Sequence, residues 1–287
     1  FASINIIQEN FMASSILVFY IIYLFSSPIF YQIPLINSNS FILEYSLLAW
    51  LFLLFFIWKR FFSNSSIQKF GNISLSFKSG LICIIYGVMM FFLTFTMLFI
   101  VFYLVNPAKS SLLGDSTPQI SLQTIIHTII ISCIITPIVE ELFFRFGVYN
   151  SYRIKFNTST SVILSSLIFA VAHLRPEKII NVFLLGVCLA LIYTKYKNIW
   201  ASILLHMANN ICATLIPIFG IPMFVFVLFN IISFGTAFYL IKCYLLPACQ
   251  KYSKEKVHVL FLQLYSAINL PFIILIVSCI FLMYITH

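Results

Sequence analysis

The chain has 287 residues, of which 62% are hydrophobic and only 8% charged, and its formal net charge is +9. A soluble globular domain carries about 25% charged residues, because its surface must be wetted. The composition therefore excludes an ordinary soluble enzyme, a disordered chain and a disulfide framework. It is also too apolar for an outer-membrane barrel, whose strands alternate with polar residues. It predicts an all-α fold, a polytopic transmembrane bundle of eight or nine helices.

Apolar stretches long enough to cross a bilayer follow one another along the whole chain. A hydrocarbon core about 30 Å thick requires about 20 residues of helix. The stretch at 159–174 is short for this purpose, and Pro28 offers an early end to the first stretch. The predicted spans are 11–31, 41–58, 80–105, 121–149, 159–174, 178–194, 198–219, 221–241 and 259–285.

The basic residues test this count of spans. With nine spans, 12 of the 16 Lys and Arg residues fall on one face, whereas Lys109, Arg175 and Lys178 fall on the other and Arg145 lies inside a span. Positive charge is retained on the cytoplasmic side, so we expect a cytoplasmic amino terminus and an external carboxyl terminus. The net charge is then explained by membrane topology and lipid contact, with no nucleic acid as partner. We expect residues 1–287 to form one integral membrane domain.

One span carries three charged residues within six positions. Glu140, Glu141 and Arg145 lie in the stretch TPIVEELFFRFGV, although charges deep in a span cost about 2.5–3.5 kcal/mol each on insertion scales. Glu141 and Arg145 are four residues apart, which predicts an ion pair on one helix face. Glu140 points about 100° away from them. Pro137 removes a backbone hydrogen bond just upstream and is expected to bend the helix.

Two later spans also carry polar side chains. Phe169 and His173 lie one turn apart, and His206 and Asn210 share a face of another span. Lipid cannot satisfy such groups, so they are expected to face one another or a water-filled cavity. Counted from the cytoplasmic helix ends, these groups and Glu140 lie roughly 12–22 Å deep. We therefore predict a shared site in the cytoplasmic half of the membrane.

The polar residues form three motifs, which are EExxxR (Glu140, Glu141, Arg145), FxxxH (Phe169, His173) and HxxxN (His206, Asn210). Taken in this order, they resemble the motifs of the CPBP family of intramembrane proteases, which includes the type II CAAX prenyl endopeptidases and the Abi proteins. The resemblance covers roughly residues 121–215, the expected catalytic core. Phe146 stands where family members commonly have Gly directly after the motif Arg.

Amide hydrolysis needs an activated water, a proton donor for the leaving amine and stabilisation of the oxyanion. A buried carboxylate near His173 can supply the base, and His206 and Asn210 are donors suited to an oxyanion hole. The resemblance implies the same roles for Glu140 with His173 and for His206 with Asn210. It makes Glu141 and Arg145 supporting residues, and Phe169 is expected to be a packing residue.

Zinc is the alternative cofactor. Glu140, His173 and His206 could supply three ligands with water as the fourth, but no HExxH spacing is present and Asn is a poor zinc ligand. A metal-free glutamate mechanism is therefore favoured. Ser165, Ser166 and Cys212 lie near the motifs, but none has an evident base, so a serine or cysteine nucleophile is disfavoured.

Two other function classes stay open at the level of sequence. A proton-coupled transporter would also place Glu and His within spans, although no inverted repeat is evident. A non-enzymatic membrane partner, such as an immunity protein, would not need the polar residues at all. For a protease, the substrate would be a membrane-anchored peptide or protein, and prenylated CaaX tails, leader peptides and membrane-bound regulators all qualify. His127 is expected to be hydrogen-bonded within the bundle.

Overall fold

The fold is all-helical in a computed structural model that describes residues 2–34, 40–62, 74–105, 121–240, 242 and 270–286. These ranges contain no strand, which confirms the predicted helical bundle. A short 3-10 helix, Pro176–Lys178, precedes α6. The helices are α1 (Ala2–Gln32), α2 (Ser40–Phe62), α3 (Phe77–Val105), α4 (Leu122–Lys155), α5 (Thr158–Ala172), α6 (Ile179–Tyr196), α7 (Ile199–Phe219), α8 (Met223–Leu240) and α9 (Leu270–Thr286).

Six stretches of helix in the described ranges are long and apolar enough to cross a membrane, and the chain is an integral membrane protein. They correspond to α1–α4, to α6 with its 3-10 turn, and to α7. The end of the first predicted span, 11–31, is confirmed, because α1 continues through Pro28 to Gln32 and does not take the alternative early end. The predicted last span began at residue 259, but residues 259–269 lie outside the described part of the chain.

Helix α4 changes its winding twice. Two π-helical segments, Ile129–Ile135 and Leu142–Tyr149, flank the α-helical segment Thr136–Glu141, in which Pro137 occupies the first turn. The Thr136 N–H bonds to the carbonyl of Ile131, five residues back, so the winding changes just before the proline. π-helical turns of this kind often occur at functional sites. The two glutamates lie at the end of the short α-helical segment between them.

Helices α3 and α7 pack closely against each other, and a glycine makes this approach possible. A Cβ atom added at Gly87 would overlap the Leu205 carbonyl and lie 2.7 Å from the Ala208 Cβ. Small residues allow membrane helices to approach closely, which increases van der Waals packing where lipid supplies no hydrophobic driving force. Because Leu205 directly precedes His206, this contact fixes α7 close to the position where it contributes to the site.

The helix ends that carry basic residues lie together on one side of the bundle. Lys59, near the end of α2, lies 5.2 Å from the Phe146 ring centroid, and Tyr149 of α4 hydrogen-bonds Thr194 near the end of α6. The start of α3 packs beside the start of α7, where Gly80 is close to Leu204. These contacts bring the basic ends of the helices to one side of the bundle. The side to which this end faces stays a prediction from the charge distribution.

Candidate active site

A buried ion pair on α4 forms the base of the site. Arg145 Nε lies 3.1 Å from Glu141 Oε2, and both side chains are fully buried. The guanidinium carbon also lies 4.7 Å from the centroid of the Phe169 ring. None of the three guanidinium nitrogens makes a well-oriented hydrogen bond to the described residues. The pairing predicted from the four-residue spacing is therefore present, and its main support is the Glu141 carboxylate.

His206 of α7 lies between the two neighbouring glutamates. Its Nδ1 is 3.1 Å from Glu141 Oε1, and its Nε2 is 3.7 Å from Glu140 Oε2. The Glu140 side chain remains 18% exposed, whereas that of Glu141 is fully buried. Two adjacent carboxylates thus have different surroundings, as the helix geometry predicts. Glu141 is engaged by Arg145 and His206, and Glu140 is the more accessible carboxylate.

His173 lies just beyond the last residue of α5. Its Nδ1 is 2.8 Å from the carbonyl oxygen of Phe169, which can accept a hydrogen bond only from a protonated nitrogen. That tautomer leaves Nε2 as a free acceptor. Since 15 residues of helix span about 22 Å, α5 is shorter than a bilayer core of about 30 Å. Because α5 begins three residues after Lys155, at the end of the bundle that carries the basic residues, we expect His173 at its other end to lie within the membrane.

Phe169 connects the two imidazoles. Its ring centroid is 4.7 Å from that of His173 and 5.9 Å from that of His206, and both contacts are edge-to-face. The side chain is fully buried and also contacts Phe144 at 5.1 Å between centroids. The aromatic residue of the FxxxH motif is therefore a packing residue at the centre of the site. It holds the second and third motifs against the first.

Asn210 joins α7 to the first π-helical segment of α4. Its Nδ2 donates a 2.8 Å hydrogen bond to the carbonyl oxygen of Ser132, and its Oδ1 accepts one from Asn209 at 3.1 Å. One N–H of the Asn210 amide is left for another acceptor. Nothing in the sequence spacing indicated the Ser132 carbonyl, because backbone groups carry no residue-specific signal.

The structure therefore joins the EExxxR and HxxxN motifs directly, through His206 and the two glutamates. His173 joins them through the Phe169 ring. His127 lies apart from this site, and its predicted hydrogen bond within the bundle stays a prediction. Its ring packs against Phe41 with centroids 3.5 Å apart, and its Nε2 is buried without a hydrogen-bond partner among the described residues.

The zinc alternative requires three ligands around one point. Within the described ranges, no group of three His, Cys, Asp or Glu side chains could hold a metal ion. His206 directs each of its ring nitrogens towards a different carboxylate, and the Glu141 carboxylate is engaged by Arg145. Glu140, His173 and His206 are thus not grouped as three ligands around one point in the described ranges, and the metal-free mechanism stays a prediction.

The comparisons with known proteins point to the same segment. Residues 122–212 match the family described as Type II CAAX prenyl endopeptidase Rce1-like. A protein of Bacillus subtilis (strain 168) named "Putative membrane peptidase YdiL" is 30% identical over 89 residues, which are 31% of this chain and 36% of that protein. The chain thus aligns with about a third of the length of this curated relative. No solved structure matches the chain.

The matched segment begins with α4, ends within α7 and contains all three motifs. The resemblance seen in the motifs is therefore supported over this segment: residues 122–212 are similar to the type II CAAX prenyl endopeptidases described as Rce1-like, and 89 residues of the chain align with a protein named as a membrane peptidase.

Proposed function

We propose that this chain is an intramembrane endopeptidase that hydrolyses a peptide bond of a membrane-associated substrate. The observation that carries the proposal is the accessible Glu140 carboxylate 3.7 Å from His206 Nε2, beside the buried pair of Glu141 and Arg145. With His206 protonated, these four groups carry no net charge. A neutral cluster reduces the cost of holding charges within a membrane.

Glu140 is the general base of the proposed reaction. The 3.7 Å between its carboxylate oxygen and His206 Nε2 is too long for a direct hydrogen bond and suits an oxygen atom that contacts both groups. A water molecule there gives one proton to Glu140 as its oxygen attacks the substrate carbonyl carbon. His173, with Nε2 as an acceptor, orients this water through its second hydrogen.

The attack leaves negative charge on the former carbonyl oxygen. His206 Nε2–H and the remaining N–H of Asn210 stabilise this oxyanion in the proposed mechanism. The carbon–nitrogen bond then breaks, and Glu140 returns its proton to the leaving amine. Glu141 accepts a hydrogen bond from His206 Nδ1 and thereby keeps this ring oriented. Water is consumed, and no other reactant is required.

The depth of the site supports a substrate held in the membrane. We expect α5, which is about 22 Å long, to begin at the basic end of the bundle and to end inside the bilayer, so that a peptide must enter the bilayer to reach His173. A lipid-anchored peptide, such as a prenylated CaaX tail, and a membrane-embedded leader or regulator both meet this condition. We expect the cleaved bond to lie near the end of the bundle that carries the basic residues.

Cleavage by the purified full-length chain tests the proposal directly. Prenylated and unmodified peptides are incubated with wild-type protein in lipid nanodiscs, and products are identified by mass spectrometry. Glu140→Gln should lower kcat/KM by about 10²–10⁴, which is the usual contribution of general-base catalysis. The matched control is Glu44→Gln, since Glu44 is an exposed residue on α2. Cleavage by Glu140→Gln at the wild-type rate would overturn the proposal, and a biological activity that persists in this variant would favour a binding partner.

A further inference from the structure

Helix α1 lies outside the segment that matches the protease family, yet it packs against the site. It contacts the second π-helical segment of α4, Leu142–Tyr149, and the short α-helical segment that follows. At Gly147, an added Cβ would lie 3.2 Å from the side chain of Ile16. The part of α4 that follows the two glutamates is therefore shaped by a helix that the family motifs do not include.

Tyr20 of α1 contacts the helices that carry the site. Its side chain is 4% exposed, and its ring lies 5.2 Å from Phe143 and 5.5 Å from Phe144 between centroids. Its hydroxyl donates a 3.2 Å hydrogen bond to the carbonyl oxygen of Ala172, across 152 positions of sequence. A single side chain thus connects α4, directly after the glutamates, to the last residue of α5.

The Ala172 carbonyl is a group that needs such a partner. It lies at the end of α5, where the last carbonyls of a helix have no intrahelical donor, and lipid offers none. His173 follows immediately, and Leu174 has a φ of 53°, so the chain leaves the helix at this point. The imidazole is thus attached to a helix end, where backbone positions are held less firmly than in a helix interior.

Two side-chain hydrogen bonds restrict this helix end, in addition to the backbone bonds of its last turn. One joins the His173 ring to the Phe169 carbonyl within α5, and the other joins the preceding peptide group to Tyr20. Of these two bonds, the second connects the helix end to another helix, and this helix also contacts the aromatic residues next to the glutamates.

We propose that Tyr20 is a positioning residue that holds His173 at a fixed distance from the glutamates of α4. The inference rests on the proposed function for its catalytic consequence. Its structural content, that the Tyr20 hydroxyl sets the environment of the His173 ring, stands independently of any activity.

The test removes one oxygen atom. Tyr20→Phe keeps the ring and its contacts with Phe143 and Phe144 but deletes the donor to Ala172. The matched control is Tyr31→Phe, since Tyr31 is also on α1 and is 52% exposed. Loss of one hydrogen bond should lower kcat by about twofold to tenfold, with KM unchanged, because the bond orients a reacting group and binds no substrate.

A second measurement does not depend on catalysis. In protein labelled at the histidine ring carbons, the NMR signal of His173 should shift in Tyr20→Phe, and that of His127 should not. Tyr31→Phe should leave both signals in place. An unchanged His173 signal, or an unchanged kcat in an active protein, would overturn the inference. If the wild-type protein cleaves no peptide, the proposed function fails, and the NMR comparison alone then decides the role of Tyr20.

Discussion

The buried pair of Glu141 and Arg145 offers the sharpest test of the site's energetics. Glu141→Gln keeps the shape of the side chain and removes its charge, which leaves the Arg145 guanidinium fully buried without a counter-ion directly beside it. Removing one partner of a buried ion pair costs about 3–5 kcal/mol. The Phe169 face contacts the guanidinium in both proteins and so does not offset the loss. At 1.4 kcal/mol for each factor of ten, the equilibrium constant for folding should fall by about 10² to 4 × 10³.

A double variant separates stability from activity. In Glu141→Gln/Arg145→Met both charges are removed, and replacing a buried pair with uncharged groups is often close to neutral for stability. The double variant should therefore regain most of the free energy of unfolding that the single variant loses. It should remain slow in peptide cleavage, because His206 Nδ1 still lacks its carboxylate partner.

Reversible unfolding in mixed detergent micelles, followed by tryptophan fluorescence, measures these differences. Glu177→Gln is the matched control, since Glu177 forms an exposed pair with Arg175 at 3.7 Å. Exposed pairs contribute less than about 1 kcal/mol, so this variant should unfold like the wild type. If Glu141→Gln also lies within about 1 kcal/mol of the wild type, or if the double variant is no more stable than the single one, the assignment of a buried charge pair is refuted.

Three further predictions concern packing, the oxyanion and the metal. Gly87→Ala should lower the free energy of unfolding by about 1–3 kcal/mol because the new methyl overlaps the Leu205 carbonyl, whereas Gly235→Ala, in open space, should not. Asn210→Ala should lower kcat by about 10²–10³ with little change in KM, and a wild-type kcat in this variant would contradict an oxyanion role. Strong chelators should leave peptide cleavage unchanged, and a loss that zinc restores would replace the glutamate mechanism.

The interactions that are local to one helix could be predicted from the sequence. The apolar lengths predicted the spans, because a bilayer requires about 20 residues of helix and the chain interrupts these stretches with polar loops. The four-residue spacing of Glu141 and Arg145 predicted their ion pair, since positions i and i+4 share a helix face. The helix does not end early at Pro28, because a proline within an apolar helix can be accommodated when other groups satisfy the freed backbone.

Contacts between helices were decided only by the tertiary structure. The motifs indicated that His206 belongs near the glutamates, but they did not indicate that its ring lies between both carboxylates. Nor did any spacing show that Tyr20 reaches the Ala172 carbonyl, because this contact depends on how α1 packs against α4. Helical periodicity fixes which side chains share a face, whereas the rotation and depth of one helix relative to another depend on close packing at positions such as Gly87. The chain thus determined which polar groups enter the membrane, and packing determined which of them meet.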